Sequence, residues 1–78
     1  MKEGTKIEVV WFDVEDEPQW TKVSSAKKRK PKPIKNIGYY LNEDKTFLRI
    51  YYSLDEEVKN CSFTIIPKGC VKSIRRLK

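Results

Sequence analysis

Apolar and polar residues alternate along several short segments of this chain, a pattern typical of β-strands. The first segment, residues 6–13, is rich in β-branched and aromatic residues and places Ile7, Val9 and Trp11 on one face. A helix is a poor alternative there, because β-branched side chains lose rotamer freedom in a helix. The pattern therefore predicts a first strand, with Trp11 as a core residue.

Three further strands are predicted in the second half of the chain, over residues 37–42, 46–53 and 58–66. In the second of these, Leu48, Ile50 and Tyr52 share one face. In the last, Cys61 occupies an alternating core position and is predicted to act as a small buried hydrophobe. Residues 42–45 contain Asn and Asp and predict a hairpin turn between the first two of these strands.

The end of the chain is ambiguous from its pattern. The sequence Pro67-Lys68-Gly69 cannot continue a central strand and predicts a tight turn, with a 3₁₀ turn as one form. Residues 71–77 fit two structures, because their apolar spacing favours a helix whereas their length and position favour a closing strand.

A long connection, residues 14–33, separates the first strand from the others. It has few apolar residues, and loops of this length are usually functional or disordered. Its last part, residues 24–33, has the composition of a mobile loop with extended Lys-Pro-Lys-Pro character. Trp20 is its one large apolar residue. It either pins the connection to the sheet or is exposed for recognition, and the first role is favoured.

These segments predict one all-β domain, residues 1–78, in which 14–33 is a long loop. Four to five short antiparallel strands, with a long basic loop after the first strand and a one-turn break before the last, have the order of an SH3-like or Sm-like small barrel. An OB-type barrel is the nearest alternative, although 78 residues leave little room for its usual helix. Because the first strand is apolar on both faces, a homo-oligomer is expected to cover the surplus apolar surface.

Positive charge is concentrated in one segment. The chain carries 17 Lys and Arg against 11 Asp and Glu, a net charge of +6. Residues 27–35, which we call the basic segment, hold six of the basic groups and no acidic group, so the other 69 residues are neutral overall. A polyanion is attracted to such a segment and releases counterions when it binds.

The residue types present argue against an enzyme. The chain has no His, which excludes His-based triads and imidazole metal sites, and two Cys without His cannot form a closed zinc site. Its three glycines stand apart, so no phosphate-binding Gly-rich loop is present. The acidic residues within 13–17 are expected to be solvated rather than to hold a cation. We therefore predict no catalytic residue, no metal site and no cofactor.

The hydropathy pattern argues against a membrane protein. No apolar run approaches the roughly 20 residues that span a bilayer. The first residues lead into no signal-peptide hydrophobic region. A cytoplasmic location, with no membrane partner, is expected.

Binding to an anionic partner is better supported than catalysis, and nucleic acid is the predicted partner. Aromatic side chains interleaved with Arg or Lys on a strand face can stack on unpaired bases, and the strand predicted over 46–53 has this character. The candidate binding residues are Lys27, Lys28, Arg29, Lys30, Lys32, Lys35, Tyr40, Phe47, Arg49, Tyr51, Arg75 and Arg76. Two alternatives stay open, in which the basic segment is a solvated arm or docks on a protein.

Four short sequence features follow one another along the chain: Trp11-x-Asp13, Trp20, Ile37-Gly38-Tyr39 and the closing Ile66-Pro67-Lys68-Gly69-Cys70-Val71-Lys72-Ser73-Ile74. Together they resemble a family of short, mostly uncharacterised phage and prophage β proteins. The basic segment departs from the family pattern, in which this region looks shorter and less basic. The resemblance carries over no catalytic residue.

The resemblance implies a second class of function. A phage accessory protein in the host-cell cytoplasm would act against a host defence, either by sequestering a nucleotide signal as an oligomer or by docking on a host protein. In the first case Arg49, Arg75 and Arg76 would bind phosphate, because guanidinium groups pair with phosphate through two hydrogen bonds. A structural or assembly protein is a further alternative.

Overall fold

The computed structural model describes residues 1–78. The strands are β1 (Lys6–Phe12), β2 (Pro33–Glu43), β3 (Phe47–Asp55), β4 (Asn60–Pro67) and β5 (Val71–Arg76). A single helical turn, α1 (Val23–Ala26), lies in the connection between β1 and β2, and a 3₁₀ turn (Lys68–Cys70) joins β4 to β5. The ambiguous end of the chain is therefore a strand that follows a 3₁₀ turn. No helix has the length and apolar character needed to cross a membrane.

All five strands form one antiparallel sheet in the order β4-β3-β2-β1-β5. The all-β class, the number of strands and the long connection after β1 are as the sequence predicts. Closure into a barrel is not seen, because β4 and β5 are the two edges of the sheet and no strand ladder joins them. The molecule is elongated, with extents of 53 × 24 × 23 Å.

Strand β2 holds the sheet together because it changes partner along its length. Residues 33–39 pair with β1, and from Tyr39 onwards the strand pairs with β3. Gly38 lies next to this change of partner. A Cβ atom at Gly38 would lie 2.8 Å from the backbone oxygen of Tyr51, closer than side chains tolerate. Glycine is therefore required where β2 and β3 approach each other.

Gly38→Ala is expected to lower the free energy of unfolding by about 1–3 kcal/mol, because the added methyl group must displace backbone rather than a flexible side chain. Chemical denaturation followed by circular dichroism measures this change. The matched control is Gly69→Ala in the 3₁₀ turn, where no atom beyond the adjacent residues lies within 4 Å of the added carbon. That variant should change by less than about 0.5 kcal/mol. Equal stabilities of the two variants would contradict the packing argument.

The core is small and lies on one face of the sheet. Its buried apolar side chains are Ile7, Val9, Tyr40, Leu48, Ile50 and Ile66. Trp11, Tyr52 and Val71 are half-buried and pack against them. The core faces predicted for β1 and β3 are confirmed, and so is the prediction that Trp11 belongs to the core.

A chain of side-chain hydrogen bonds crosses the same face and links four strands. The Trp11 Nε1–H donates to Asn36 Oδ1 at 2.6 Å, and the Asn36 amide donates to the Tyr52 hydroxyl at 2.9 Å. The Tyr52 hydroxyl in turn lies 2.9 Å from Thr64 Oγ1. Every buried side-chain polar atom has a partner, so these half-buried groups join β1, β2, β3 and β4 without a desolvation penalty.

Two residues lie outside the core, contrary to the predictions made for them. Cys61 is half-buried and pairs with Leu54, beyond the point where the ladder between β2 and β3 ends at Tyr51. The core side of β4 carries Thr64 and Ile66 instead, because these residues lie opposite the buried Ile50 and Leu48 of β3. Trp20 is fully exposed, so the prediction that it pins the connection to the sheet is wrong.

Candidate nucleic-acid interface

The face of the sheet opposite the core carries a row of apolar side chains. Across three strands, Tyr39 pairs with Tyr51, and Tyr51 pairs with Phe63. The rings of Tyr39 and Tyr51 have centroids 5.4 Å apart and are tilted by 31°. We call this surface the aromatic face, and its members are Ile37, Tyr39, Phe47, Tyr51, Phe63 and Ile65. Rings held in a row on a sheet are suited to stacking with planar groups.

Two of the candidate residues, Phe47 and Tyr51, lie on the aromatic face, whereas Tyr40 does not. Tyr40 is only 7% exposed and belongs to the core. Its hydroxyl donates to Glu43 Oε1 at 3.1 Å, and burial raises the pKa of the Tyr40 hydroxyl, so it remains a neutral donor. Tyr40 must be removed from the predicted stacking face, and its neighbour Tyr39, which points to the other side of β2, takes its place.

Four residues of the aromatic face, Ile37, Tyr39, Phe63 and Ile65, are not among the candidates predicted from the sequence. For Tyr39 a signal exists, because the adjacent Gly38 is the residue type expected on a crowded, inward side of a strand. Phe63 and Ile65 belong to the more apolar face of β4, and this pattern predicts burial in the core rather than an exposed site. These two side chains join the aromatic face only through the register of β4 against β3.

Arg49 also lies on this side of β3, but its charge is compensated within the chain. Its guanidinium donates to Asp44 Oδ2 at 2.9 Å and to Asn42 Oδ1 at 3.2 Å. The Asp44 carboxylate accepts the backbone N–H groups of Phe47 and Thr46, each at 2.8 Å. These bonds, more than the nearby guanidinium, lower the pKa of the Asp44 carboxyl to about 2. Arg49 therefore offers a planar stacking surface rather than a free charge.

Four lysines of the basic segment are free of ion pairs. The chain has five ion pairs, and none involves Lys27, Lys28, Lys30 or Lys32. All four lysines are exposed. They are therefore the part of the predicted site whose charge is available to an anionic partner.

One carboxylate brings the two ends of the connection side by side. Glu15 Oε2 lies 3.4 Å from Arg29 Nη2, and Glu15 Oε1 accepts the backbone N–H of Lys32 at 3.3 Å. Exposed contacts of this kind add little to stability. Their effect is on position, since they hold the basic segment against the residues that follow β1.

Strand β2 connects the basic segment to the aromatic face. Lys35, Ile37 and Tyr39 alternate along β2 and so share the side opposite the core. At about 3.3 Å of rise per residue, Lys35 lies about 13 Å from Tyr39 along the strand. The Lys35 ammonium lies 3.5 Å from Glu8 Oε1, so its charge is partly compensated. One extended ligand could contact the lysines and the rings together.

The last two candidates lie on the edge strand β5, with Arg75 on the same side of the sheet as Lys35 and Ile37, and Arg76 on the core side. Arg75 lies 3.2 Å from Glu8 Oε2, and the hydrogen bond between them is the largest cause of the lowered pKa of the Glu8 carboxyl. Arg76 is opposite Ile7 in the ladder and points to the other side of β5 from Arg75. Because β1 and β2 separate β5 from β3, one copy of the chain does not bring Arg49 together with these two arginines.

The connection between β1 and β2 forms a cavity of about 440 Å³. The residues that line it include Trp20, Arg29, Glu15 and Glu17. An aromatic residue and a cationic residue therefore border the same cavity. No group of three or more Cys, Asp or Glu side chains is placed to hold a metal ion.

Comparison of the chain with protein-family models, curated proteins and solved structures found no match. The candidate interface is therefore defined by the residues and geometry of this chain alone.

Proposed function

We propose that this protein binds single-stranded nucleic acid in the cytoplasm and catalyses no reaction. In this proposal the basic segment contacts the phosphates, and the aromatic face stacks against unpaired bases. Arg29 and Lys35 contribute to binding through their aliphatic side-chain carbons and backbone more than through free charge, because each is already paired with a carboxylate.

The aromatic face supports a preference for single strands. Neighbouring strands of a sheet lie about 4.8 Å apart, so the rings of Tyr39, Tyr51 and Phe63 form a row about 10 Å long across three strands. Other sheet-based RNA-binding domains stack two or three bases on such a surface. In a duplex the base faces are already stacked on each other and cannot reach these rings.

The four free lysines are expected to give nucleic-acid binding a strong electrostatic component. Each lysine that neutralises one phosphate of a single strand steepens the dependence of log K on log salt by about 0.7. Four free lysines therefore predict a slope of about −3 from the basic segment alone. The body of the protein is neutral and should contribute little to this slope.

The single observation that carries the proposal is the continuity of charge and rings along β2. Lys35 lies at one end of an exposed row on this strand and Tyr39 at the other. A charged arm unconnected to the sheet would support only non-specific attraction. Here the same strand leads from the lysines to the stacking surface.

The test is fluorescence anisotropy with short labelled oligonucleotides, single- and double-stranded, of DNA and RNA, over a range of salt. We expect single strands to bind more tightly than duplexes, with a steep salt dependence. Absent binding, or binding that does not change with salt, would overturn the proposal.

Tyr39→Leu is expected to weaken single-strand binding about tenfold, because one base loses an aromatic stacking partner. Tyr39→Phe is the matched control, since it keeps the ring and removes only the hydroxyl, and its affinity should stay within about twofold of the original. The salt slope should be the same in all three proteins. Equal losses in both variants would show that Tyr39 acts through its hydroxyl and not by stacking.

The cavity beside Trp20 favours a second candidate function, the sequestration of a nucleotide by a phage accessory protein. A base would stack on the exposed indole, and Arg29 would bind a phosphate if it exchanged its contact with Glu15. A volume of about 440 Å³ is within the range of small-molecule sites.

Quenching of Trp20 fluorescence by mono- and dinucleotides distinguishes this candidate from the first. Trp11→Phe should retain the quenching and Trp20→Phe should lose it. A protein that binds oligonucleotides but shows no quenching by free nucleotides would exclude the second candidate only.

A further inference from the structure

Strand β4 is an open edge of the sheet that carries no charge. Its eight residues, Asn60–Pro67, contain no Lys, Arg, Asp or Glu, and β4 pairs only with β3. Phe63 and Ile65 are exposed on the strand, at 57% and 48%. Uncharged edge strands with β-branched residues are templates for pairing with another strand, and most proteins block such edges with charge.

The other edge of the same sheet is blocked in this way. Strand β5 carries Lys72, Arg75 and Arg76 within six residues. Two copies of this edge would place like charges beside each other, which is destabilising for directly opposed strand residues. A second copy of a chain with net charge +6 can therefore approach through β4 but not through β5.

We propose that two copies of this chain pair through their β4 strands, antiparallel to each other, to form a two-fold symmetric dimer with one continuous ten-stranded sheet. The interface is isologous, since the same strand serves on both sides. This inference goes beyond the proposed function and does not rest on it.

Symmetry restricts the register of this pairing. Opposed residues of an antiparallel ladder point to the same side of the sheet. A two-fold axis perpendicular to the sheet must therefore lie midway between one residue and the same residue of the second copy. With the axis at Thr64, Phe63 lies opposite Ile65 of the second copy on both sides of the axis. This register therefore forms two apolar cross-strand pairs from side chains that are exposed in one copy.

The distribution of charge supports the antiparallel direction. The β3–β4 turn before the strand carries Asp55, Glu56 and Glu57 against one lysine, Lys59, and is therefore acidic overall. Parallel pairing would place two of these acidic turns side by side, whereas antiparallel pairing keeps them at opposite ends of the interface. The two aromatic faces then lie on the same side of the joined sheet.

Sedimentation velocity at several protein concentrations tests the dimer. We expect a species of twice the 9.3 kDa chain mass, in micromolar equilibrium with the monomer because the interface is small. Ile65→Lys adds two charges at the two-fold interface and should weaken association about tenfold or more. Ile74→Lys is the matched control, since Ile74 lies on the β5 edge with a similar exposure of 42%, and it should leave association unchanged.

Amide hydrogen exchange of the unaltered protein keeps the inference testable if Ile65→Lys fails to fold. Edge amides of β4 should become more protected as the concentration rises, whereas those of β5 should not. A monomer at all concentrations, a dimer unaffected by a folded Ile65→Lys variant, or concentration-dependent protection in β5 instead of β4 would each overturn the inference. Because none of these measurements involves nucleic acid, their outcome is independent of the oligonucleotide experiments.

Discussion

Replacing Lys27, Lys28, Lys30 and Lys32 by Gln is expected to weaken single-strand binding by about 10²- to 10³-fold at about 0.05 M salt. The four ammonium groups take part in no ion pair, so their removal breaks no contact within the chain. All four are exposed, and the folded structure should therefore be unchanged. The salt slope should fall in magnitude by about 3, because each lost phosphate contact removes about 0.7.

The control for this variant removes the same amount of charge elsewhere. Changing Lys2, Lys45, Lys59 and Lys78 to Gln also lowers the net charge from +6 to +2, but all four lie outside the basic segment. If the position of the charge matters, only the first variant loses most of its affinity. Similar losses in both variants would show that binding follows net charge, and the basic segment would then have no special role.

Ile50→Ala is expected to lower the free energy of unfolding by about 3–4 kcal/mol, within the range for large-to-small changes at fully buried sites. Ile50 is fully buried at the centre of β3, and only six apolar side chains form the buried core. A domain of this length has a total stability of about 4–12 kcal/mol. The substitution should therefore remove a quarter or more of it, which urea denaturation with a circular dichroism readout would measure.

Ile37→Ala is the matched control for this loss. Ile37 is on the same sheet but on the aromatic face, with 48% of its surface exposed. Its truncation should cost less than about 1 kcal/mol, since little apolar area returns to water. A large loss at Ile37, comparable with that at Ile50, would show that the aromatic face is covered by another surface in solution, as in a homo-oligomer.

The alternation of apolar residues predicts the buried face of β1 and β3 from the sequence. Leu48 and Ile50 alternate with larger or charged residues, and both are buried as predicted. Trp11 follows the same rule on β1. In β4 the more apolar face, with Cys61, Phe63 and Ile65, is turned away from the core, and the pattern therefore predicts the wrong side. Only pairing with β3 decides which face of β4 is buried.

The candidate site likewise combines features that the sequence predicts with features that only the tertiary structure decides. The basic segment can be recognised from local composition, because charge density is a property of the sequence itself. The choice between Tyr39 and Tyr40 is different, since both are aromatic, adjacent and in one strand. It depends on the side of β2 that meets the core, which the close approach of Gly38 to β3 determines. Whether Trp20 packs or is exposed likewise depends on contacts that its neighbours in sequence do not specify.

The sequence by itself determined the all-β class, the position of the long connection and the concentration of charge in residues 27–35. These features are local, since strand periodicity and charge density extend over only a few residues. The tertiary structure alone decided that Tyr39, Tyr51 and Phe63 form one row, that Arg49 is neutralised by Asp44 and that β4 is an open, uncharged edge. Each of these is a relation between strands, and such relations arise only when the register and order of the sheet are formed.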